Sequence, residues 1–161
     1  MCSSDLSINK MSALISLGGV EYKQKLLQAC RLLHKMGYLL YATDKTARFL
    51  EVYNIPVIPV YKVYEGKKPS VLDIIKDKKV GLVINLSDRE DLGIREFSRQ
   101  ETDGYLIRRA SVDANIPLFT KATIANLCIN SLYKYDLGNL KVKSWRDYLK
   151  TIEAKDEEER L

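Results

Sequence analysis

Apolar positions along the chain fall into two alternating rhythms, short unbroken runs and longer stretches where they recur every third or fourth residue. The runs Ala13–Leu17, Tyr38–Ala42, Pro56–Val60, Val80–Ile84 and Ile116–Phe119 predict strands. Pro56 and Pro59 remove ladder donors, so their run suits an edge strand. Val80–Ile84 is apolar nearly throughout, as in a parallel strand covered on both faces. The helical rhythm starts after Gly18-Gly19. Leu26, Leu27, Cys30 and Leu33 predict a helix over Val20–Met36, with Lys23, Lys25, Arg31 and Lys35 supplying charge elsewhere on it. Thr43 reads as the N-cap of a helix to about Tyr53, with Thr46 one turn on. Ser70 caps a short helix, Val71–Lys76, that holds Asp73 in its first turn. Asp103–Asn115 and Thr123–Tyr135 predict two more helices, the last with Ile124, Leu127, Cys128 and Leu132 on its core face. Strands alternating with helices at this spacing argue for a doubly wound α/β domain.

That architecture changes the value of individual residues, because such sheets bind ligands beyond the carboxyl ends of their strands. Thr43, Thr46, Lys62, Asn85 and Ser87 all follow the end of a predicted strand. Thr46 and Lys62 should stand at strand or helix ends, outside the core. A helix start offers unpaired N–H groups and a partial positive charge, which favours an anion such as phosphate. For Thr43 and Thr46 taken alone, ordinary capping is the favoured explanation over a phosphate site. Lys23 stands near a helix start, where a cation opposes the dipole. It is either a solvated lysine or one held beside the strand ends to meet an anion. Arg108-Arg109, in the middle of a helix, is expected to pair with carboxylates and brace the domain.

With 161 residues, 46% apolar and 29% charged, the chain is long enough for one globular domain with a tail. The expected division is a leader at 1–10, a domain at 11–136, and a tail at 137–161 that docks near Trp145 and frays beyond Thr151. The leader run Cys2-Ser3-Ser4-Asp5-Leu6 matches the translation of a common sequencing-adapter end, which suggests a frame clipped from a longer gene. Residues 88–103 form a long polar connection of the kind that carries function or mobility. The net charge of +5 is dispersed, without a basic stripe interleaved with aromatics, so a small anion fits better than nucleic acid. No apolar run is long enough for a membrane span, and no secretion signal is visible. The three cysteines show no metal-ligand spacing, and Cys30 and Cys128, within apolar helical patterns, read as core thiols in a reducing, cytoplasmic setting. His34, the sole histidine, reads as solvated near a helix end.

The run Gly37-Tyr38-Leu39-Leu40-Tyr41-Ala42-Thr43-Asp44-Lys45-Thr46-Ala47 resembles the GF-x-L-x-AT-x-x-TA segment of methylglyoxal synthase-like domains. Val60–Gly66, Pro69, Asp73–Lys76, Leu82–Asn85, Tyr105–Ala110 and Ile116-Pro117 follow in the family's order. Together these motifs, covering about residues 13–135, are similar to the C-terminal allosteric domain of the carbamoyl phosphate synthetase large chain. Leu140–Leu149 is similar to the end of that chain. The resemblance implies a three-layer α/β/α fold with five parallel strands and a pocket for an effector such as UMP or IMP. The pocket residues it implies are Lys23, Thr43, Thr46, Lys62, Asn85 and Ser87. Leu86 stands where many bacterial members have threonine, which puts one hydroxyl contact in doubt. Lys62, where members tuned to N-acetylglutamate carry tryptophan nearby, favours a phosphorylated effector.

The function this implies is a regulatory module of an enzyme of pyrimidine and arginine biosynthesis. No cofactor is expected in this chain. ATP and a divalent metal would belong to upstream synthetase domains, and a glutaminase small subunit would be an indirect partner. No phosphate-binding glycine loop of the Walker type is present. A second reading is a free-standing methylglyoxal synthase, a lyase acting on dihydroxyacetone phosphate. There the resemblance sets Lys68 where the synthase has its catalytic aspartate, and leaves Asp88 as the matching second carboxylate. A third reading is a related domain fused to another enzyme, such as the purine-pathway cyclohydrolase.

Overall fold

A computed structural model of the chain describes residues 11–87, 103–135 and 144–146. The expected leader, the connection after Ser87 and most of the tail lie outside the described residues. The strands are β1 (Ser12–Leu17), β2 (Leu39–Thr43), β3 (Ile58–Val60), β4 (Leu82–Leu86) and β5 (Leu118–Phe119). The helices are α1 (Val20–Lys35), α2 (Asp44–Val52), α3 (Val71–Lys76), α4 (Asp103–Asp113) and α5 (Ala122–Lys134), with a 3-10 turn at Val63–Glu65. All pairings are parallel, in the order β3-β2-β1-β4-β5.

The pleat of the central strand sorts the core into two halves. Ala13, Ile15 and Leu17 of β1 join Leu26, Cys30 and Leu33 of α1, Ala47 and Leu50 of α2, and Ala125 and Ile129 of α5. Leu14 faces the other way, with Val71, Ile74 and Ile75 of α3 and Ile107 of α4. The sheet therefore lies between a layer of α1, α2 and α5 and a layer of α3 and α4, the expected three-layer arrangement. α1 ends at Gly37, whose φ of 85° suits a residue without Cβ. Gly37 N–H donates to His34 O and Tyr38 N–H to Leu33 O, closing the helix with a Schellman motif.

Several strand boundaries differ from the sequence expectation. β4 starts at Leu82 and runs on through Asn85 and Leu86, because β1 reaches far enough to pair Ser16 with Asn85 and Leu17 with Leu86. Asn85 is thus inside a strand, not beyond its end. β3 and β5 keep only the paired cores of their predicted runs, since Ile58–Val60 and Leu118–Phe119 are what the neighbouring strand registers.

The expected core face of the last helix is also corrected. α5 buries Ala122, Ala125 and Ile129, while Ile124 is 53% and Leu127 69% exposed. The helix carries two apolar stripes. The one with small residues turns inward because alanine lets α5 come close to α1, where Asn126 Nδ2 donates to the Lys25 carbonyl at 3.0 Å. Trp145, expected where the tail docks, is 73% exposed.

Candidate functional site

The chain leaves β1 toward β2 and β3 and returns on the other side to β4 and β5. The switch in strand order thus falls between β1 and β4, and the crevice it makes opens beyond their carboxyl ends. Gly18 N–H donates to Leu86 O at 2.8 Å across this gap, locking the two strand exits together. Gly19, at φ 50°, begins α1 without a side-chain cap, so the opening turn of α1 offers its N–H groups at the crevice. Lys23 follows within that start of α1 and is half-buried, with no ion pair among the described residues.

Thr43 ends β2 and occupies the N-cap position of α2, yet its side chain caps nothing. Its hydroxyl lies 3.4 Å from Thr46 Oγ1 instead. Thr46 is fully buried. Its Oγ1 accepts the Leu17 N–H at 3.1 Å and donates to Leu17 O at 3.4 Å. The expectation that Thr46 stands outside the core is therefore corrected: its hydroxyl ties the end of β1 to the start of α2.

Asn85 is 3% exposed. Its Oδ1 accepts from Arg108 Nη1 at 3.1 Å, reaching β4 from α4. A guanidinium only donates, so this contact fixes which end of the amide faces α4 and leaves Nδ2 as a donor. Nδ2 has no partner among the described residues, where no fully buried side-chain nitrogen or oxygen lacks one. Gly104 makes room for the contact, since a Cβ there would lie 3.2 Å from Arg108 Nη1 and 3.5 Å from Asn85 Oδ1. Ser87 follows β4 directly and is half-buried.

Lys62 stands apart from this group. It begins the 3-10 turn after β3, donates its N–H to Glu65 Oε1 at 3.2 Å, and holds Nζ 5.7 Å from the Tyr64 ring centre. From β3 to β4 is three strand spacings, about 14 Å at about 4.8 Å each. No single phosphate touches both Lys62 and Ser87, whereas an extended phosphorylated ligand lying along the edge could reach from one toward the other.

Carboxylates along the carboxyl edge are engaged locally. Asp44 accepts from Arg48 at 3.0 Å, and Glu21 pairs with Lys25 at 2.6 Å. The Asp73 carboxylate receives both the N–H and the hydroxyl of Ser70, at 3.0 and 2.9 Å. The bond from the Ser70 backbone, reinforced by its hydroxyl, holds Asp73 below the usual carboxylate range. Arg109 pairs with Asp113 at 3.0 Å, the bracing expected of it. Arg108 donates to Asn85 as well. Its role, and that of Gly104, had no visible signal, since nothing in the helical pattern of 103–115 names a partner on β4. No group of three or more metal-ligating side chains occurs among the described residues, nor any helix able to cross a membrane. Cavities of about 300 Å³ beside His34 and Leu39 and about 440 Å³ between Leu72 and Ala110 lie away from this edge.

Residues 25–120 match the family model of the MGS-like domain. The chain is 33% identical over 122 residues to the carbamoyl phosphate synthase large chain, C-terminal section, of Methanocaldococcus jannaschii, covering 76% of this chain and 18% of that one. It is 34% identical to the carbamoyl phosphate synthase large chain of Rhizobium meliloti, over 81% of this chain and 10% of the other. It is 31% identical to a mitochondrial carbamoyl-phosphate synthase (ammonia) of Homo sapiens, over 83% and 9%. The chain thus spans under a fifth of the length of these relatives. Among solved structures, a methylglyoxal synthase from Elizabethkingia anophelis superposes with a TM-score of 0.56 at 19% identity, covering 86% of this chain and 89% of that one, a likeness of fold.

Proposed function

The chain belongs to the MGS-like domain family, in the form found at the C-terminal end of carbamoyl phosphate synthase large chains, and on that premise we propose that it is the effector-binding regulatory domain of such a synthetase. Its ligand is a small phosphorylated molecule, with UMP and IMP the first to test, bound along the carboxyl edge by Lys23, Thr43, Lys62, Asn85 and Ser87, with the buried Thr46 bracing that edge from behind. Upstream synthetase domains supply the ATP and divalent-metal chemistry, and a glutaminase subunit contacts this domain only through them. The described cysteines, Cys30 and Cys128, are free thiols, in keeping with a cytoplasmic enzyme.

The observation that carries this reading is Asn85. A nearly buried amide at the carboxyl end of β4, with its oxygen accepting from Arg108, keeps its Nδ2 donor for a ligand, and a phosphate or carbonyl oxygen is the natural complement of a donor. Lys23 and the uncapped start of α1 supply positive potential at the same switch point. An effector at this site acts through unequal affinity for two states of the whole synthetase. The carboxylates near the edge suit binding better than lyase chemistry. A base for proton abstraction needs a pKa near the working pH, and Asp73 is displaced the other way.

Calorimetric titration of the chain with UMP and IMP tests the proposal. Asn85→Asp keeps an oxygen for Arg108 but sets a negative charge against the phosphate. It should weaken binding at least about tenfold, as losing a charge-assisted bond does. Lys62→Ala should weaken it by about ten- to a hundredfold. Undiminished affinity in both variants would move the site elsewhere. With dihydroxyacetone phosphate the chain should form no methylglyoxal above background. Turnover near about 1 s⁻¹ would overturn the regulatory reading.

A further inference from the structure

A cavity of about 440 Å³ opens between α3 and α4, at the end of the sheet opposite the carboxyl edge. The turn after α3 lies beside the first residue of β1, where Ser12 Oγ donates to Lys79 O at 2.8 Å and Gly81 N–H donates to Ser12 O at 3.0 Å. The volume falls in the range of small-molecule sites, about 300–1,000 Å³. Its floor is apolar. Leu72 of α3 lines it together with Leu106 and Ala110 of α4 and Ala114 just past that helix. Residues 106, 110 and 114 recur every fourth position and so form one stripe. All four floor residues are half-buried. The two alanines keep the space open, because a longer side chain at either position would occupy it.

The rim is basic. Lys76, Lys78 and Arg109 line it, with Asp113 as the one carboxylate among the lining residues. Arg109 Nε meets Asp113 Oδ2 at 3.0 Å. Three cations against one carboxylate leave the lining with two positive charges over an apolar floor. The helix dipole favours a cation in the last turn of α3, which accounts for Lys76. It does not account for Lys78, which stands past the helix end with φ at 49°, in the left-handed region where glycine is the default. Lys78 N–H donates to Ile75 O and Lys79 N–H to Ile74 O, both at 3.0 Å, so a Schellman closure fixes this backbone. A lysine there sets a cation at the rim where glycine would close the turn with less strain.

We infer that this cavity is a second small-molecule site, which takes an aliphatic carboxylate. The apolar body lies along Leu72, Leu106, Ala110 and Ala114, and the head group meets the ammonium groups of Lys76 and Lys78. The site is separate from the carboxyl edge and does not rest on the regulatory reading.

Decanoate is the probe, with decanol as the apolar body alone and acetate as the head group alone. Titrations of the full chain, followed in proton–nitrogen correlation spectra, should give saturable shifts with decanoate, confined to α3, α4 and the turns that follow them. Decanol should bind at least about tenfold more weakly, as loss of a charge-assisted contact requires, and acetate should give no saturable shift. Lys76→Gln should weaken decanoate by about tenfold and leave decanol unchanged. Lys78→Gly, which suits the local backbone, should do the same without loss of stability. Ala110→Leu should abolish binding of both by filling the floor. Absence of saturable shifts with decanoate would overturn the inference, as would decanol binding as tightly as decanoate. Shifts centred on the cavity beside His34 or on the carboxyl edge would also overturn it, and so would undiminished decanoate affinity in both lysine variants.

Discussion

Thr46→Val removes one hydroxyl and almost no volume, which makes it a clean probe of the tie between β1 and α2. Thr46 is fully buried, and Leu17 N–H donates to its Oγ1 at 3.1 Å. Valine fills the same space but leaves that N–H without a partner in a site that water does not reach. An unsatisfied buried donor costs about 1–3 kcal/mol, so about 2 kcal/mol is expected here. The return bond to Leu17 O, at 3.4 Å, is long and adds little. Thr46→Ser keeps the hydroxyl and deletes one methyl, for about 1 kcal/mol. Urea unfolding followed by far-ultraviolet circular dichroism measures both variants. With an m of about 2 kcal/mol/M, Thr46→Val should lower the midpoint by about 1 M and leave the slope unchanged. Thr46→Ser should fall by about half as much. If Thr46→Val unfolds at the wild-type midpoint, the hydroxyl is not the tie that the geometry makes it, and the buried-donor argument fails.

Two further outcomes concern pH. Burial pushes the Cys30 thiol up to about 12 from its ordinary 9.0. The folded state then keeps a proton that the unfolded chain releases, so stability should fall as pH rises from about 9 toward 12, by up to about 1.4 kcal/mol per unit. Cys30→Ala should flatten that limb in urea titrations across the alkaline range. Asp73, held below its ordinary 3.8 by the Ser70 backbone and hydroxyl, contributes stability above that value and loses it as pH falls through the lowered one. Asp73→Asn should therefore diminish the acid limb of a stability profile, and an unchanged limb would show the cap to be idle. Ser70→Ala, which removes the hydroxyl bonded to Asp73 N–H at 3.3 Å, should cost about 1 kcal/mol at neutral pH.

The alternation of apolar runs and helical stripes made the fold readable, because both sheet faces are covered and every strand is therefore conspicuous. Pairing registers were less accessible. Asn85 ends an apolar run and looks like a stop signal, yet β1 carries the ladder past it, and only a partner 23 residues away makes a polar side chain tolerable there. α5 misled for a different reason. Ile124 and Leu127 outweigh alanine on any hydropathy scale, but close approach to α1 favours the smaller side chains at Ala122 and Ala125. Thr43 and Thr46 were legible as a pair near a helix start. That one of them spends its hydroxyl on Leu17 was not, because the tie spans 29 residues.

Arg108 on Asn85 and Thr46 on Leu17 have a joint consequence. The first ties the α3 and α4 layer to β4, and the second ties the α1, α2 and α5 layer to β1, the strand next door. A molecule seated at that edge would behave as a reversible cross-link between two halves of the core that otherwise meet only through the sheet. At a hundred times its dissociation constant such a cross-link adds about 2.7 kcal/mol to the cost of unfolding. Occupancy would then register as slower amide exchange in α4 and α2, helices on opposite sides of the sheet.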